Sequence, residues 1–315
     1  MIWGLWQHGG CFVIRCTGAP CANFDFLIRP KTDTDMPISS SKAHNPLPLS
    51  AVPVAQAVDL AQPLQWLARA WRDMTHCGWV SYLHGVVMAL VGAMMLVLVG
   101  DRFWFMAGAF SGFLLVAPIL ATSLYALSRA LERGETPSLG VVLKTWLNWQ
   151  DGRIQAWGPG HWRLVQFGVL LAAAGTTWVL LSAAMITLLA PMPITTPMAF
   201  IEHVVLAKGG LLFEFWLALG GVLVAPIFAS TVVTIPLLLD RQLSITQAVA
   251  ASWQVIFANP APMALWGALI MVLTLLGFAT ALVGLVVLVP VLGHASWHAY
   301  RDLLDVSGVP EREQR

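Results

Sequence analysis

The sequence predicts an all-α membrane protein with about six transmembrane helices, and its composition and charge distribution are the observations that predict it. Of the 315 residues, 58% are hydrophobic and only 10% are charged, and the mean hydropathy is +0.74. A soluble domain carries about 25% charged residues, because its surface faces water. This chain has too few charges to cover such a surface, so its main solvent must be lipid. Its net charge of +1 provides no basic face for phosphates, which argues against a nucleic-acid partner.

The N-terminal part of the chain, residues 1–59, is predicted to be a disordered leader. A Ser- and Pro-rich stretch begins at Met36, and such a composition cannot bury enough apolar surface to fold. Translation starts either at Met1 or at Met36, and the second alternative would remove residues 1–35. The predicted parts that follow are a polytopic membrane domain, residues 60–305, and a cytoplasmic tail, residues 306–315.

Long apolar runs define the predicted spans. A helix needs roughly 17–25 residues to cross about 30 Å of hydrocarbon. The run from Met263 to Tyr300 contains no Asp, Glu, Lys or Arg. As a single helix it would be about 57 Å long, so we expect it to fold back near residues 277–280 and to form two spans. The six predicted spans are residues 79–100, 103–128, 164–190, 211–239, 262–278 and 281–300.

The basic residues are distributed unevenly over the predicted loops. With six spans, every Lys and Arg except Arg102 and Lys208 falls on the side that carries both termini. Cytoplasmic loops of membrane proteins are enriched in Lys and Arg. The distribution therefore predicts that the N-terminus and the C-terminus both lie in the cytoplasm.

A loose pattern occurs three times along the chain. A glycine, a Leu- and Val-rich stretch and a proline recur in the second, fourth and sixth predicted spans, ending at Pro118, Pro226 and Pro290. Arg129 and Arg301 follow the first and last of these prolines by eleven residues. The pattern predicts three degenerate repeats, each an interfacial amphipathic helix plus a helical hairpin. Because a proline frees a carbonyl group and kinks a helix, these prolines either shape packing or frame a central site.

The segment before the first span is predicted to be an amphipathic helix in the cytoplasmic interface. Leu64, Leu67, Ala68 and Trp71 recur at i, i+3, i+4 and i+7 and form an apolar face, with Trp66 nearby. Tryptophan suits the interface because indole is partly apolar and partly polar. The helix is either an anchor that sets the depth of the spans, or a surface that senses lipid or docks a partner.

Three segments of the chain resemble a known family. They are Pro-Leu-x-Trp-Leu…Trp-Arg-Asp at 63–73, Leu-Val-Ala-Pro…Tyr-x-Leu-Ser-Arg…Glu-Arg-Gly at 115–134, and Pro-Val-Leu-Gly-His-Ala-Ser-Trp-His-Ala-Tyr-Arg-Asp at 290–302. They are similar to the bacterial integral membrane family DUF2189, a domain of unknown function. The resemblance covers roughly residues 60–305 and implies a bacterial inner membrane, but no activity.

His294 and His298 form the candidate ligand pair of the sequence. They are four residues apart on the predicted sixth span, so both rings project from the same face of the helix. A zinc site needs three or four ligands, and the candidate partners are His84, Asp302 and Asp305. Three interpretations stay open: packing or interfacial histidines, a metal or haem ligand pair, and a protonation switch.

The sequence contains no recognisable catalytic or cofactor motif. Gly-x-Ser-x-Gly, His-Glu-x-x-His, the P-loop and the dinucleotide fingerprint are all absent, so we predict neither an enzyme nor a cofactor. The favoured function is a non-enzymatic membrane component, such as an accessory or assembly subunit. Its partners would be the lipid bilayer and another membrane protein complex. The alternatives are a transporter or channel for a small or lipophilic solute, and an intramembrane metal- or haem-binding protein that uses His294 and His298.

Overall fold

The computed structural model describes residues 52–100, 102–150, 159–207 and 211–312. The question of whether translation starts at Met1 or at Met36 lies outside these residues, as does the leader up to residue 51. The described chain belongs to one compact unit, residues 47–315, and consists almost entirely of helices.

The described residues in the first half of this unit form seven helices. Pro63 stands in the first turn of α1, where proline is tolerated because its missing N–H would have no partner there. Helix α7 is a single turn that continues as a π-helix over Ile201–Val205. The helices are α1 (Gln62–Cys77), α2 (Trp79–Val99), α3 (Phe103–Leu120), α4 (Thr122–Glu132), α5 (Leu139–Gln150), α6 (Pro159–Leu189) and α7 (Pro197–Phe200).

The second half contains five helices. Helix α10 begins with a capping box, in which the Ser244 hydroxyl accepts from the backbone N–H of Gln247 and the Gln247 side chain accepts from the backbone N–H of Ser244. The helices are α8 (Leu212–Thr231), α9 (Thr234–Asp240), α10 (Ile245–Ala258), α11 (Pro260–Ala279) and α12 (Leu285–Leu303). The two short strands are β1 (Val54–Ala55) and β2 (Leu304–Asp305).

Four stretches within the described residues are long and apolar enough to cross a membrane, whereas the sequence predicts six. They are Trp79–Val99, Val169–Leu189, Leu212–Asp240 and Pro260–Ala279. They agree with the predicted first, third, fourth and fifth spans. The second and sixth spans, and the threefold repeat, stay predictions.

The predicted second span, residues 103–128, is not one continuous helix. Helix α3 ends at Leu120 and α4 begins at Thr122, and every side chain from Thr122 to Ala130 is buried in protein. The predicted sixth span corresponds to α12, which carries polar side chains in its C-terminal half. Hydropathy alone did not reveal that these two segments are packed mainly against other helices.

Helix α12 is the centre of the structure. Helices α1, α2, α4, α9 and α11 all contact it, and most of its residues are buried. The face of α2 that turns toward it is Val80, Ser81, Gly85 and Met88. At Gly85 the two backbones approach closely, because an added Cβ would lie 2.2 Å from the carbonyl oxygen of Val286. Small residues allow such close contact between helices in lipid.

The turn between α11 and α12 confirms that the long apolar run folds back. The break is at Thr280–Gly284, a few residues beyond the predicted position. Ala281 and Leu282 adopt positive φ angles of 52° and 70° there. The Thr280 hydroxyl accepts a hydrogen bond from the backbone N–H of Gly284 and so closes the turn.

The two ends of the described domain meet. Strand β1 pairs antiparallel with β2, and Gln56 N–H donates to the carbonyl of Leu303. The side chain of Asn259, between α10 and α11, accepts from Val58 N–H and donates to the Gln56 carbonyl. Both ends therefore lie at the same end of the helix bundle.

Candidate functional site

A chain of buried hydrogen bonds joins α1, α4, α12 and α2. Asp73 on α1 contacts His298 Nε2 at 3.0 Å and the Ser128 hydroxyl at 2.6 Å. The same hydroxyl lies 2.7 Å from Nδ1 of His294, whose Nε2 lies 2.8 Å from the Ser81 hydroxyl. We call these five side chains the histidine network.

The chemistry of the histidine network fixes where its protons lie. Ser128 has one hydroxyl proton and donates it to the Asp73 carboxylate, so its oxygen accepts from Nδ1–H of His294. Nε2 of His294 then accepts from the Ser81 hydroxyl, and His298 donates to Asp73 through Nε2. Burial raises the pKa of the Asp73 carboxyl, but the hydrogen bonds from His298 and Ser128 outweigh burial and leave that pKa below its ordinary value. Asp73 is therefore ionised at neutral pH.

The structure places His294 and His298 together on one face of α12, but it surrounds them with hydroxyl and carboxylate partners. Of the predicted further ligands, His84 forms a hydrogen bond with Ser123, and Asp302 forms an ion pair with Arg69. Asp305 is exposed and accepts from the backbone of Ser307. In the part of the chain that the structure describes, no group of three or more His, Cys, Asp and Glu side chains could hold a metal ion. Metal binding by the histidine pair stays a prediction.

The two predicted tryptophans of α1 lie on opposite faces. Trp66 is fully buried, packs edge-on against Trp266 at 5.5 Å, and donates to Asp302 at 2.8 Å. Trp71 is 53% exposed, as is Leu64. The predicted face of α1 therefore points away from the protein, and the buried face is formed by Pro63, Trp66, Ala70, Met74 and Cys77.

Asp302 connects the end of α12 to α1. Besides Trp66, it accepts from Gln62 at 2.7 Å and from both terminal nitrogens of Arg69. Burial raises the pKa of the Asp302 carboxyl, yet the hydrogen bonds from Arg69, Gln62 and Trp66 lower it more, so the pKa lies below its ordinary value. The two helices are held by a charged pair as well as by apolar packing.

The two predicted arginines at the ends of the repeats both form ion pairs. Arg129 is 3% exposed, and its Nε lies 2.7 Å from Oδ1 of Asp240. Asp240 also accepts from Tyr300 at 2.7 Å. Arg301 Nε lies 3.3 Å from Glu132 on the surface of the bundle. These arginines tie α4, α9 and α12 together.

The repeated prolines do not share one environment. Pro226 lies inside α8 and is exposed, whereas Pro290 lies inside α12 and is buried. The side chain of Pro118 lies outside the described residues. Because Pro226 points away from the protein, its position favours the alternative in which these prolines shape helix packing over the one in which they frame a central site.

A large cavity lies between α2, α3, α4, α5, α11 and α12. Its volume is about 520 Å³, which is within the range of small-molecule sites. We call it the apolar cavity, because most of its walls are aliphatic and aromatic. Its apolar lining includes Val87, Met88, Phe113, Phe278, Leu288 and Val289.

Polar groups gather on α2, α4 and α12 at the apolar cavity. His84 Nδ1 donates to the carbonyl of Val80 at 2.8 Å, and this leaves Nε2 to accept from the Ser123 hydroxyl at 2.7 Å. Tyr125 hydrogen-bonds to Ser296, whose hydroxyl also donates to the Leu292 carbonyl. His84, Ser123, Tyr125 and Ser296 all line the cavity. A molecule that filled it would meet apolar walls and a small set of fixed polar groups.

Sequence reasoning missed several members of these sites. Asp73, Ser81, Ser128 and Asp240 were not predicted as functional residues, because each is an ordinary polar residue in its own segment. A signal was present in the three segments that carry the family resemblance. These segments supply Arg69 and Asp73, Ser128 and Arg129, and His294, His298 and Asp302.

Of the comparisons with known proteins, the one with family models finds a match. Neither a curated protein nor a solved structure matches this chain. The motifs at 63–73 and 290–302 fall outside the family match, although the structure packs them against it. Residues 105–240, from α3 to the end of α9, match the model described as “Predicted integral membrane protein (DUF2189)”, which confirms the resemblance over this segment.

Proposed function

We propose that this protein is a non-enzymatic membrane component that holds a lipophilic molecule in the apolar cavity. The observation that carries the proposal is a cavity of about 520 Å³ with apolar walls and the His84–Ser123 pair on its lining. Sites of this size and character bury most of a ligand's surface, and a few polar groups fix its orientation. The ligand class is an apolar molecule with one hydrogen-bonding group.

Access from lipid supports this ligand class. Leu83 and Val87 belong both to the cavity wall and to the exposed surface of α2. Helix α2 is one of the candidate spans, so this surface faces hydrocarbon. A lipophilic molecule would reach the cavity laterally from the membrane, without crossing water. We place the protein in a bacterial inner membrane with both termini in the cytoplasm, in accord with the distribution of basic residues.

The test is the identification of what co-purifies with the protein. We expect mass spectrometry of an organic extract to find one lipophilic compound enriched over bulk lipid after mild detergent purification. Val87→Trp should reduce its amount because the indole fills the cavity. Val97→Trp is the matched control, since Val97 lies on the same helix, is 81% exposed and does not line the cavity. Equal retention by both variants, or no enriched compound in the wild type, would contradict the proposal.

A carrier of lipophilic solutes would use the same cavity. It differs from a static binding protein in moving its ligand between membrane leaflets or compartments. Reconstitution into proteoliposomes with the identified compound separates the two functions. Flux that is lost in Val87→Trp and kept in Val97→Trp would favour the carrier, whereas binding without flux would favour the static component.

The exposed face of α1 favours a second function, an accessory subunit that docks to another membrane protein complex. Trp71 and Leu64 present apolar surface outside the protein, and Trp79 at the start of α2 is exposed as well. A docking function predicts stoichiometric co-purification of a partner that Trp71→Ala releases. Trp66 is unsuitable for this test because its substitution would disturb the buried contact with Trp266. Retention of the partner by Trp71→Ala would show that the exposed face of α1 is not the docking surface.

A further inference from the structure

A second cavity, of about 380 Å³, lies at the end of the bundle where β1 and β2 meet. We call it the arginine pocket. It is formed by α4, α9, α12 and the C-terminal segment after β2, and it is distinct from the apolar cavity. Its lining residues are Arg129, Arg133, Arg241, Arg301, Glu132, Asp240, Glu311 and Trp297.

The arginine pocket carries an excess of positive charge. Four guanidinium groups face three carboxylates, so one positive charge is uncompensated. Asp240 is shared between Arg129 and Arg241, at 2.7 and 2.9 Å. Glu311 is likewise shared between Arg133 and Arg241, at 2.6 and 3.3 Å. An anion in the pocket would complete the charge balance.

Two residues that line the pocket carry buried donors that find no acceptor among the described residues. These are Nη1 of Arg129 and Nε1 of Trp297, and within the described residues neither forms a hydrogen bond. Trp297 is almost fully buried, as is Arg129. Buried N–H groups are normally satisfied, and a donor without a partner loses its hydration without compensation. Two such donors beside one positively charged cavity indicate a missing acceptor.

The exposed rim of the pocket suits entry of a ligand. Arg133 and Arg301 are partly exposed, while Arg129 and Asp240 form the buried floor. Guanidinium groups match the oxygen geometry of phosphate because their N–H groups form a planar fork. Basic pockets between helices on the cytoplasmic side of membrane proteins bind anionic head groups.

We propose that the arginine pocket binds a phosphate group, from either an anionic lipid head group or a soluble phosphate. Arg133 and Arg301 contact the phosphate from the rim, and Arg129 supplies charge from the floor. This site is independent of the lipophilic ligand proposed for the apolar cavity. It involves none of the residues that line that cavity.

The experiment measures the thermal unfolding midpoint of the purified full chain as a probe is titrated. One arm adds phosphatidylglycerol to the micelles, with phosphatidylcholine as its uncharged counterpart. The other arm adds inorganic phosphate, with sodium chloride at matched ionic strength. If phosphatidylglycerol alone raises the unfolding midpoint, the ligand is a lipid head group. If inorganic phosphate raises the midpoint, the ligand is a soluble phosphate.

Variants test whether the rise in the unfolding midpoint comes from binding in the arginine pocket. We expect Arg301→Gln and Arg133→Gln each to weaken the apparent affinity by about tenfold, because each removes a charge-assisted contact. Both residues form only surface ion pairs, so the variants should fold. Arg72→Gln is the control, since Arg72 is exposed on α1 and lies outside the pocket. The proposal is overturned if neither probe raises the midpoint, or if the rise is the same in wild type and in both pocket variants.

Discussion

The Asp73 carboxylate accepts a hydrogen bond from His298 at 3.0 Å and thereby joins the first helix of the domain to the last. Because Ser128 donates to the same carboxylate oxygen, one acidic side chain holds α1, α4 and α12 together. Apolar packing provides little preference for one helix arrangement inside lipid, since lipid tails are as apolar as leucine. Directional contacts of this kind can specify which helices become neighbours.

Removing the Asp73 carboxylate should loosen the helix packing. We expect Asp73→Ala to lower the free energy of unfolding by about 2 kcal/mol, because Ser128 and His298 lose a charged acceptor. Thermal unfolding in detergent measures this change. Asp305→Ala is the matched control, since the Asp305 side chain is exposed and its carboxylate accepts a hydrogen bond from the backbone N–H of the nearby Ser307. A loss of the same size in both variants would show that the contact with His298 is not the cause.

The contact between Arg69 and Asp302 predicts a pH dependence. The pKa of Asp302 lies below its ordinary value in the folded protein, because Arg69, Gln62 and Trp66 donate to its charged form. Its contribution to stability is therefore complete above the unfolded pKa of about 3.9 and is lost as the pH falls toward the lower folded pKa. The unfolding midpoint of the wild type should fall below about pH 4.

The variant Asp302→Asn tests the origin of this pH dependence. It should be less stable than the wild type at neutral pH, and its midpoint should fall less steeply in acid because residue 302 no longer titrates. Asp73 also has a pKa below its ordinary value, so part of the acid dependence should remain in this variant. An unchanged acid slope in Asp302→Asn would refute the assignment.

The close approach of α2 and α12 makes Gly85 sensitive to substitution. A Cβ at this position would lie 2.2 Å from the Val286 carbonyl oxygen, and backbone cannot move aside as a side chain can. We expect Gly85→Ala to lower the free energy of unfolding by at least about 1 kcal/mol, because overpacking a close-packed core costs about 1–3 kcal/mol. The readout is the unfolding midpoint.

A second glycine provides the control for this prediction. Among the residues that the structure describes, nothing lies within 4 Å of a Cβ added at Gly221 in α8. Gly221→Ala should therefore be neutral or stabilising by up to about 1 kcal/mol, because alanine is the better helix former. Equal effects at both glycines would mean that α2 and α12 are further apart at Gly85 than the structure shows.

Hydropathy predicts the structure best where apolar side chains face lipid. The predicted first span, residues 79–100, agrees with α2 almost to the residue, because its exposed apolar surface requires lipid. Hydropathy predicts less where helices pack against other helices. The Leu64–Trp71 face of α1 was correctly identified as apolar, but the buried partner of α12 is the Trp66 face, whose burial depends on Trp266 and Asp302. Local periodicity contains no information about such distant contacts.

The candidate sites were predictable where they depend on spacing within one helix, and not where they depend on contacts between helices. The i, i+4 spacing correctly placed His294 and His298 on one face of α12. Their contacts with Ser81, Ser128 and Asp73 arise from the packing of three other helices, which no spacing within α12 specifies. The apolar cavity was likewise not predictable, because it is formed between helices.

The surroundings of His294 provide a test of the metal hypothesis. Both of its ring nitrogens contact serine hydroxyls, so we expect His294→Ala to lower the unfolding midpoint equally with and without a metal chelator. A metal site would instead raise the wild-type midpoint on addition of Zn²⁺ and would leave His294→Ala unaffected. Metal analysis of the same purified samples completes the experiment. Bound metal that disappears in His294→Ala would favour the ligand-pair interpretation.

The pairing of β1 with β2 predicts that both ends of the domain lie on the same side of the membrane. Val52 and Asp305 are exposed at this end, and Met192 is exposed in the loop after α6. In a chain whose native cysteines are replaced by serine, an impermeant maleimide should label Met192→Cys in intact spheroplasts. It should label Val52→Cys and Asp305→Cys only after lysis, because the distribution of basic residues predicts a cytoplasmic position for that end. Labelling of both end positions from outside would invert the orientation and keep the fold, whereas labelling of only one would contradict the strand pairing itself.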